Sequence, residues 1–195
     1  MNPTAPCPPA DNERRTPDWI IASARTVLGT IDLDPASDLD ANERVGAIDY
    51  FDMEDNGLDH FWYGKVFLNP PGGKLDPETL LQSKNGYRAL SSSAVWWGKL
   101  LHEMKLGNTT EAIYVAFNLE AMLNTQNIGA AYPIQEFTFC VPARRVEYPS
   151  KHGAKSKTPG GATAIVYLGD NQKMFFNEFS KHGYVKLGRN VPGRY

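Results

Sequence analysis

Cysteine is almost missing from this chain: Cys7 and Cys140 are the only two among 195 residues. One lies in a proline-rich stretch and the other in an apolar one, so neither a disulfide framework nor a cysteine zinc cluster can be assembled. No apolar run approaches the ~18–20 residues needed to cross a bilayer, and the opening MNPTAPCPPADNERR lacks the apolar centre of a secretion signal. These absences predict a cytoplasmic protein with no membrane contact. The histidines, His60, His102, His152 and His182, are scattered, and no G-x-S-x-G, H-E-x-x-H or G-x-G-x-x-G occurs. The nucleophile elbow, the zinc-protease helix and the dinucleotide fingerprint are thereby excluded. Gly72, Gly73 and Lys74 imitate the end of a phosphate loop, but the upstream glycine is missing and Leu75 stands where Ser or Thr belongs. Asp32, Asp34, Asp38 and Asp40 imitate a calcium loop, but Ser37 fills its glycine position. No metal is expected.

What is present suits one folded unit. With 42% apolar and 22% charged residues the chain can bury a single core. Four prolines within the first nine residues mark 1–15 as a flexible lead-in, leaving 16–195 as the domain. The net charge of −2 conceals a division: residues 1–140 hold 10 Lys and Arg against 19 Asp and Glu, whereas 141–195 hold 10 against 3. A basic final third suggests a polyanionic partner, because Lys and Arg release counterions from phosphates on binding. A solvated surface with scattered charge is the plain alternative.

Thr16 can cap and Pro17 can open a helix whose stripe is Ile20, Ile21, Ala24, Val27 and Leu28, with Gly29 as its stop. Ile31 and Leu33 alternate with Asp32 and Asp34 before Pro35, which predicts a short strand with both carboxylates on one face. Further strands are expected at 47–51 and 65–69, with an acidic surface loop at 49–59. A mobile loop rich in Ser, Asn and Gly follows to about residue 91. Trp97, Leu100, Leu101 and Met104 then repeat at helical spacing over 93–106, and Gly107 stops them. A strand at 112–117 and a short helix at 119–131 come next. Strands at 137–141, 145–148 and 162–168 follow, the last two forming a hairpin around the basic loop SKHGAKSKTPGG. A helix at 172–181 and a strand at 184–187 close the chain. The pattern is α/β, with a mostly parallel sheet and an antiparallel edge hairpin.

The most informative segment is Val66-Phe67-Leu68-Asn69-Pro70-Pro71. An apolar strand ending in Asn and two prolines makes a rigid, extended exit that lacks two main-chain donors. An ordinary strand exit is the plain explanation. At the carboxyl end of a parallel strand, however, where α/β sheets hold their ligands, the Asn side-chain carbonyl and a prolyl carbonyl can accept from one NH2 group. The exocyclic amine of adenine is a poor nucleophile because its lone pair is delocalised into the ring. Two acceptors on its hydrogens favour a tetrahedral nitrogen and allow methyl transfer from a sulfonium without a strong base.

The ordered series Thr16-Pro17-x-Trp19, Asp32-Leu33-Asp34-Pro35-Ala36-Ser37, Ala41-Asn42, Asp55-Asn56-Gly57-Leu58, Trp62 and Phe67-Leu68-Asn69-Pro70-Pro71 resembles the phage-type DNA N6-adenine methyltransferases of the Dam family. Trp97, Lys99-Leu100, Arg144-Arg145-Val146 and Ala164-Ile165-Val166 extend the resemblance, which covers residues 16–168. It implies a Rossmann-like methyltransferase fold, S-adenosylmethionine as cofactor, double-stranded DNA as partner and, for a phage protein, the bacterial cytoplasm. It also implies site residues. Thr16, Pro17, Asp32, Asp34, Pro35, Ala36, Asp55 and Asn69 would face the cofactor, and Asn69, Pro70, Pro71 and Gly72 would form the catalytic motif. Arg144, Arg145, Lys151, Lys155 and Lys157 would hold phosphates around a flipped adenine. Gly72 departs from the family, which has an aromatic residue there to stack on the target base. Stacking is worth about 1–3 kcal/mol per base, so Tyr87 or Trp96 becomes the candidate substitute, and the loop from Lys74 to Ser93 a candidate lid. A catalytically silent DNA- or protein-binding relative, and a methyltransferase for another amine, stand as the alternatives.

Overall fold

Helix α1 spans Asp18–Leu28 in a computed structural model of the chain, which describes residues 15–72, 92–116, 121–122, 125, 132–149 and 162–190. The stripe Ile20, Ile21, Ala24, Val27 and Leu28 is buried as its spacing demands, and Gly29 ends the helix with φ at +76°. Thr16 is not the cap: the N-cap position falls to Pro17 and no side chain caps the helix. The Thr16 hydroxyl is therefore free for other use.

The remaining elements are β1 (Leu33–Asp34), α2 (Leu39–Val45), β2 (Asp49–Tyr50), β3 (Gly64–Leu68), α3 (Ser92–Leu106), β4 (Thr109–Ala116), β5 (Thr138–Pro142), β6 (Ala164–Leu168), α4 (Gln172–Phe179) and β7 (Gly183–Lys186). Of the helix expected at 119–131, the described residues Ala121, Met122 and Thr125 are helical. The strands form one seven-stranded sheet in the order β2-β1-β3-β4-β6-β5-β7. The first four run parallel, and β6, β5 and β7 alternate in direction beyond them. The protein is thus α/β, and its antiparallel part is larger than an edge hairpin.

Two local expectations are corrected. Residues 145–148 form no strand and β6 makes no hairpin with them. Strand β5 takes that place beside β6, and its other edge is filled by β7. Both sides of β5 are taken, and Val146 and Tyr148 just beyond it are buried by packing rather than by pairing. Nor do Ile31 and Leu33 share a face. Ile31 joins the cluster with α1, whereas Leu33 joins the cluster with α3, because the regular strand begins only at Leu33.

Both faces of the sheet are covered, which is why β4 and β6 read as nearly continuous apolar runs. Ile113, Val115, Ile165, Tyr167 and Phe67 pack with α1 and α4. Ala112, Tyr114, Val166, Leu168, Val66 and Leu68 pack with Trp96, Trp97, Leu100 and Met104 of α3. Cys140 is buried against Phe179, and burial pushes its thiol up to about 12, so it is an inert core residue.

Candidate active site

The chain leaves β1 toward β2 on one side and leaves β3 toward β4 on the other. A parallel sheet opens a crevice at such a reversal, outside the carboxyl ends of the two strands. Asp34 and Pro35 stand at the end of β1, and Asn69 and Pro70 follow the end of β3. Alternation places Asp34, next to Leu33, and Asn69, two residues after Phe67, on the α1 side of the sheet. The start of α1 meets them there, and Asn69 Nδ2 donates to Thr16 Oγ1 at 3.0 Å. Two residues singled out by sequence, 53 positions apart, thus meet directly, and Asp34 stands at the end of the neighbouring strand.

The motif after β3 is held in a way that distinguishes its acceptors. Pro71 O accepts from the Ser92 hydroxyl at 2.7 Å, which ties the exposed turn Pro71-Gly72 to the first residue of α3. Asn69 uses its NH2 on Thr16. Among the described residues no donor reaches Asn69 Oδ1 or the carbonyl of buried Pro70, and these two oxygens remain to take a ligand's N–H groups.

Asp34 is 3% exposed, and burial raises its carboxyl from 3.8 to about 7. Hydrogen bonds from the Ala36 N–H and the Ser37 side chain pull against that shift, while nearby Asp38 adds to it. No cation of the described residues pairs with Asp34. Asp32 braces the strand instead. Its Oδ2 accepts from Lys65 N at 2.7 Å near the start of β3, four residues before Asn69. Asp55 is exposed in the loop after β2, where its main-chain oxygen bonds His60 Nε2 at 2.9 Å. Pro35 is buried and Ala36 half-buried beside the Asp34 carboxyl.

Trp96 cannot stack on a ligand at the motif. It is 5% exposed in the core and lies over Trp62, with ring centroids 5.8 Å apart. Tyr87 and the loop from Lys74 to residue 91 lie outside the described residues, as do Lys151, Lys155 and Lys157. The roots of the basic loop are described, however. Tyr148 OH and Thr163 Oγ1 meet at 3.1 Å, and the next residue, Ala164, pairs with Ala116 at the carboxyl end of β4. Pro149 O accepts from Arg15 N at 2.9 Å, directly beside Thr16. The loop therefore springs from the rim of the crevice, and exposed Arg144 and Arg145 follow the same end of the sheet from β5.

Sequence reasoning missed three contributors. Arg15, assigned to the lead-in, is instead ordered by a 2.9 Å ion pair with Asp38, and Arg44 donates to Thr16 O at 2.9 Å. Phe51 donates its N–H to Asp34 O and stacks on His60 at 4.4 Å. No local pattern announces the two arginines, since each acts on a distant segment; Phe51 was legible only as an apolar strand end. Among the described residues no three His, Cys, Asp or Glu side chains gather into a metal site. Set against protein-family models, curated proteins and solved structures, the chain matches none.

Proposed function

We propose that the protein is an S-adenosylmethionine-dependent DNA adenine N6-methyltransferase with a Rossmann-like methyltransferase fold. The observation that supports it most is the pair of oxygens, Asn69 Oδ1 and Pro70 O, which no donor of the described residues reaches, at the reversal point of the sheet, with Asn69 fixed by Thr16 and the neighbouring Pro71 carbonyl already satisfied. Such a pair accepts both hydrogens of an NH2 group and steers its lone pair away from the ring, which is electrostatic preorganisation rather than base catalysis. The proton leaves after the methyl has arrived.

The cofactor fits the chemistry of the crevice. A buried carboxyl that no cation of the described residues pairs with, the Thr16 hydroxyl and the Phe51–His60 stack suit a ligand that combines an ammonium, hydroxyls and an aromatic base. Thr16, Asp34 and the segment Pro35-Ala36 would hold it. When bound, it supplies an electrophilic methyl group on sulfur. Double-stranded DNA would be held by Arg144, Arg145 and the basic loop rooted at the rim, and the target adenine extruded, since its amine is out of reach within a duplex.

Incubating the protein with labelled methyl donor and DNA tests the reading. Wild-type protein transfers label. Asn69→Ala abolishes transfer and keeps its affinity for S-adenosylhomocysteine; retained transfer in that variant removes Asn69 from the mechanism. Because the acceptor pair selects an NH2 rather than a ring, label on cytosine N4 or on a protein amine would keep the chemistry and change the substrate.

A further inference from the structure

Resting on that reading, we propose that the Thr16 hydroxyl sets the orientation of the Asn69 carboxamide and so acts as a positioning residue for the acceptor pair. A carboxamide has two faces of similar shape and opposite polarity. With Oδ1 toward the substrate it accepts from an NH2 group; turned over, it presents its own NH2 to that group and repels it. Thr16 Oγ1 accepts from Asn69 Nδ2 at 3.0 Å, and among the described residues nothing donates to Oδ1 on the other face.

Thr16 is available for this role and is held in place for it. Its hydroxyl caps nothing, because α1 starts at Asp18 with no side-chain cap. The residue is 7% exposed, its main-chain oxygen takes Arg44 Nη2 at 2.9 Å, and Arg15 before it is fixed by Pro149 O and Asp38. A hydroxyl also has only one proton to donate. Once an acceptor on a bound cofactor takes that proton, Oγ1 can only accept, and the carboxamide retains a single orientation. Cofactor occupancy and readiness of the acceptor pair are coupled through one oxygen atom.

An aspartate at position 69 has two acceptor oxygens and no wrong face, which gives the idea its test. Thr16→Val lowers kcat about tenfold in the Asn69 protein, the size of one net hydrogen bond. In the Asn69→Asp background the same substitution costs less than twofold. Thr16→Ser retains kcat within twofold of wild type, and by NMR Thr16→Val speeds solvent exchange of the Asn69 side-chain NH2 about tenfold. An equal loss from Thr16→Val in both backgrounds, or unchanged exchange of that NH2, overturns the proposal. If Asn69→Asp is itself silent, the serine variant and the exchange rate decide. A wild-type protein that methylates no amine removes the reading above, and the exchange rate then still decides whether Thr16 holds Asn69.

Discussion

Asp34 is a buried carboxyl at the end of β1, raised to about 7 by burial, and no cation of the described residues pairs with it. Its folded value lies above its ordinary one, so between about pH 4 and 7 the folded chain binds a proton that the unfolded chain releases. The cost of ionising it is absent in acid and complete above about pH 7, reaching at most about 4 kcal/mol for a shift of this size. Asp34→Asn removes that cost: urea unfolding at pH 8 finds the variant more stable than wild type, and at pH 4 the two coincide. A parallel pH dependence in both proteins would contradict the assignment. The same carboxyl predicts that affinity for S-adenosylhomocysteine falls as the pH drops below about 7. Calorimetry on Asp34→Asn should find weaker binding with that pH dependence abolished. Asn69 and Asp34 were legible because each closes an apolar run at a proline. The contact between Asn69 and Thr16 was not, although each residue was named, since a hydrogen bond from position 69 to position 16 leaves no local mark on either segment.

At the scale of elements, the loop between β2 and β3 is built to stay in one place. Trp62 Nε1 donates to Gly57 O at 2.7 Å, Asp52 Oδ1 accepts from the N–H groups of Glu54 and Asp55, and His60 stacks on Phe51. Gly57 lies so close to the end of β1 that an added Cβ would stand 1.9 Å from Pro35 O and 3.3 Å from Trp96. Gly57→Ala must therefore displace the loop or the strand exit, at a cost of about 1–3 kcal/mol. Thermal unfolding checks this as a lowered melting temperature, together with weaker cofactor binding; an unchanged melting temperature would show that the loop yields freely. Helix α1 and strand β3 were readable because stripe, stop and proline all agree. The segment 145–148 misled because Val146 and Tyr148 alternate like a strand, yet β5 already has a neighbour on each side. Periodicity reports burial, whereas pairing is decided by what else the sheet contains.

For the whole molecule, the charge division becomes spatial. Residues 46–64 hold Asp49, Asp52, Glu54, Asp55 and Asp59 with no Lys or Arg, at the β2 edge of the sheet. Arg144, Arg145 and the roots of the basic loop lie beyond β4, toward the other edge. On the proposed function, a polyanion would be repelled by the acidic side and drawn to the basic one. Fluorescence anisotropy of labelled duplex at increasing salt should find a steep loss of affinity. Replacing both Arg144 and Arg145 by alanine should flatten the log–log slope by about 2, near 0.9 for each phosphate no longer neutralised. An unaltered slope would move the DNA elsewhere. The charge split itself was visible in the sequence; its arrangement around the crevice needed the order of the strands.

On the proposed function, the Asn69 and Pro70 oxygens direct an adenine amine toward an electrophilic methyl. Mass spectrometry of nucleosides from treated DNA tests it most directly. Wild-type protein should leave N6-methyladenine, and Asn69→Ala protein that still binds S-adenosylhomocysteine should leave none; no methylated base from wild type, or the same yield from both proteins, would overturn the proposed function.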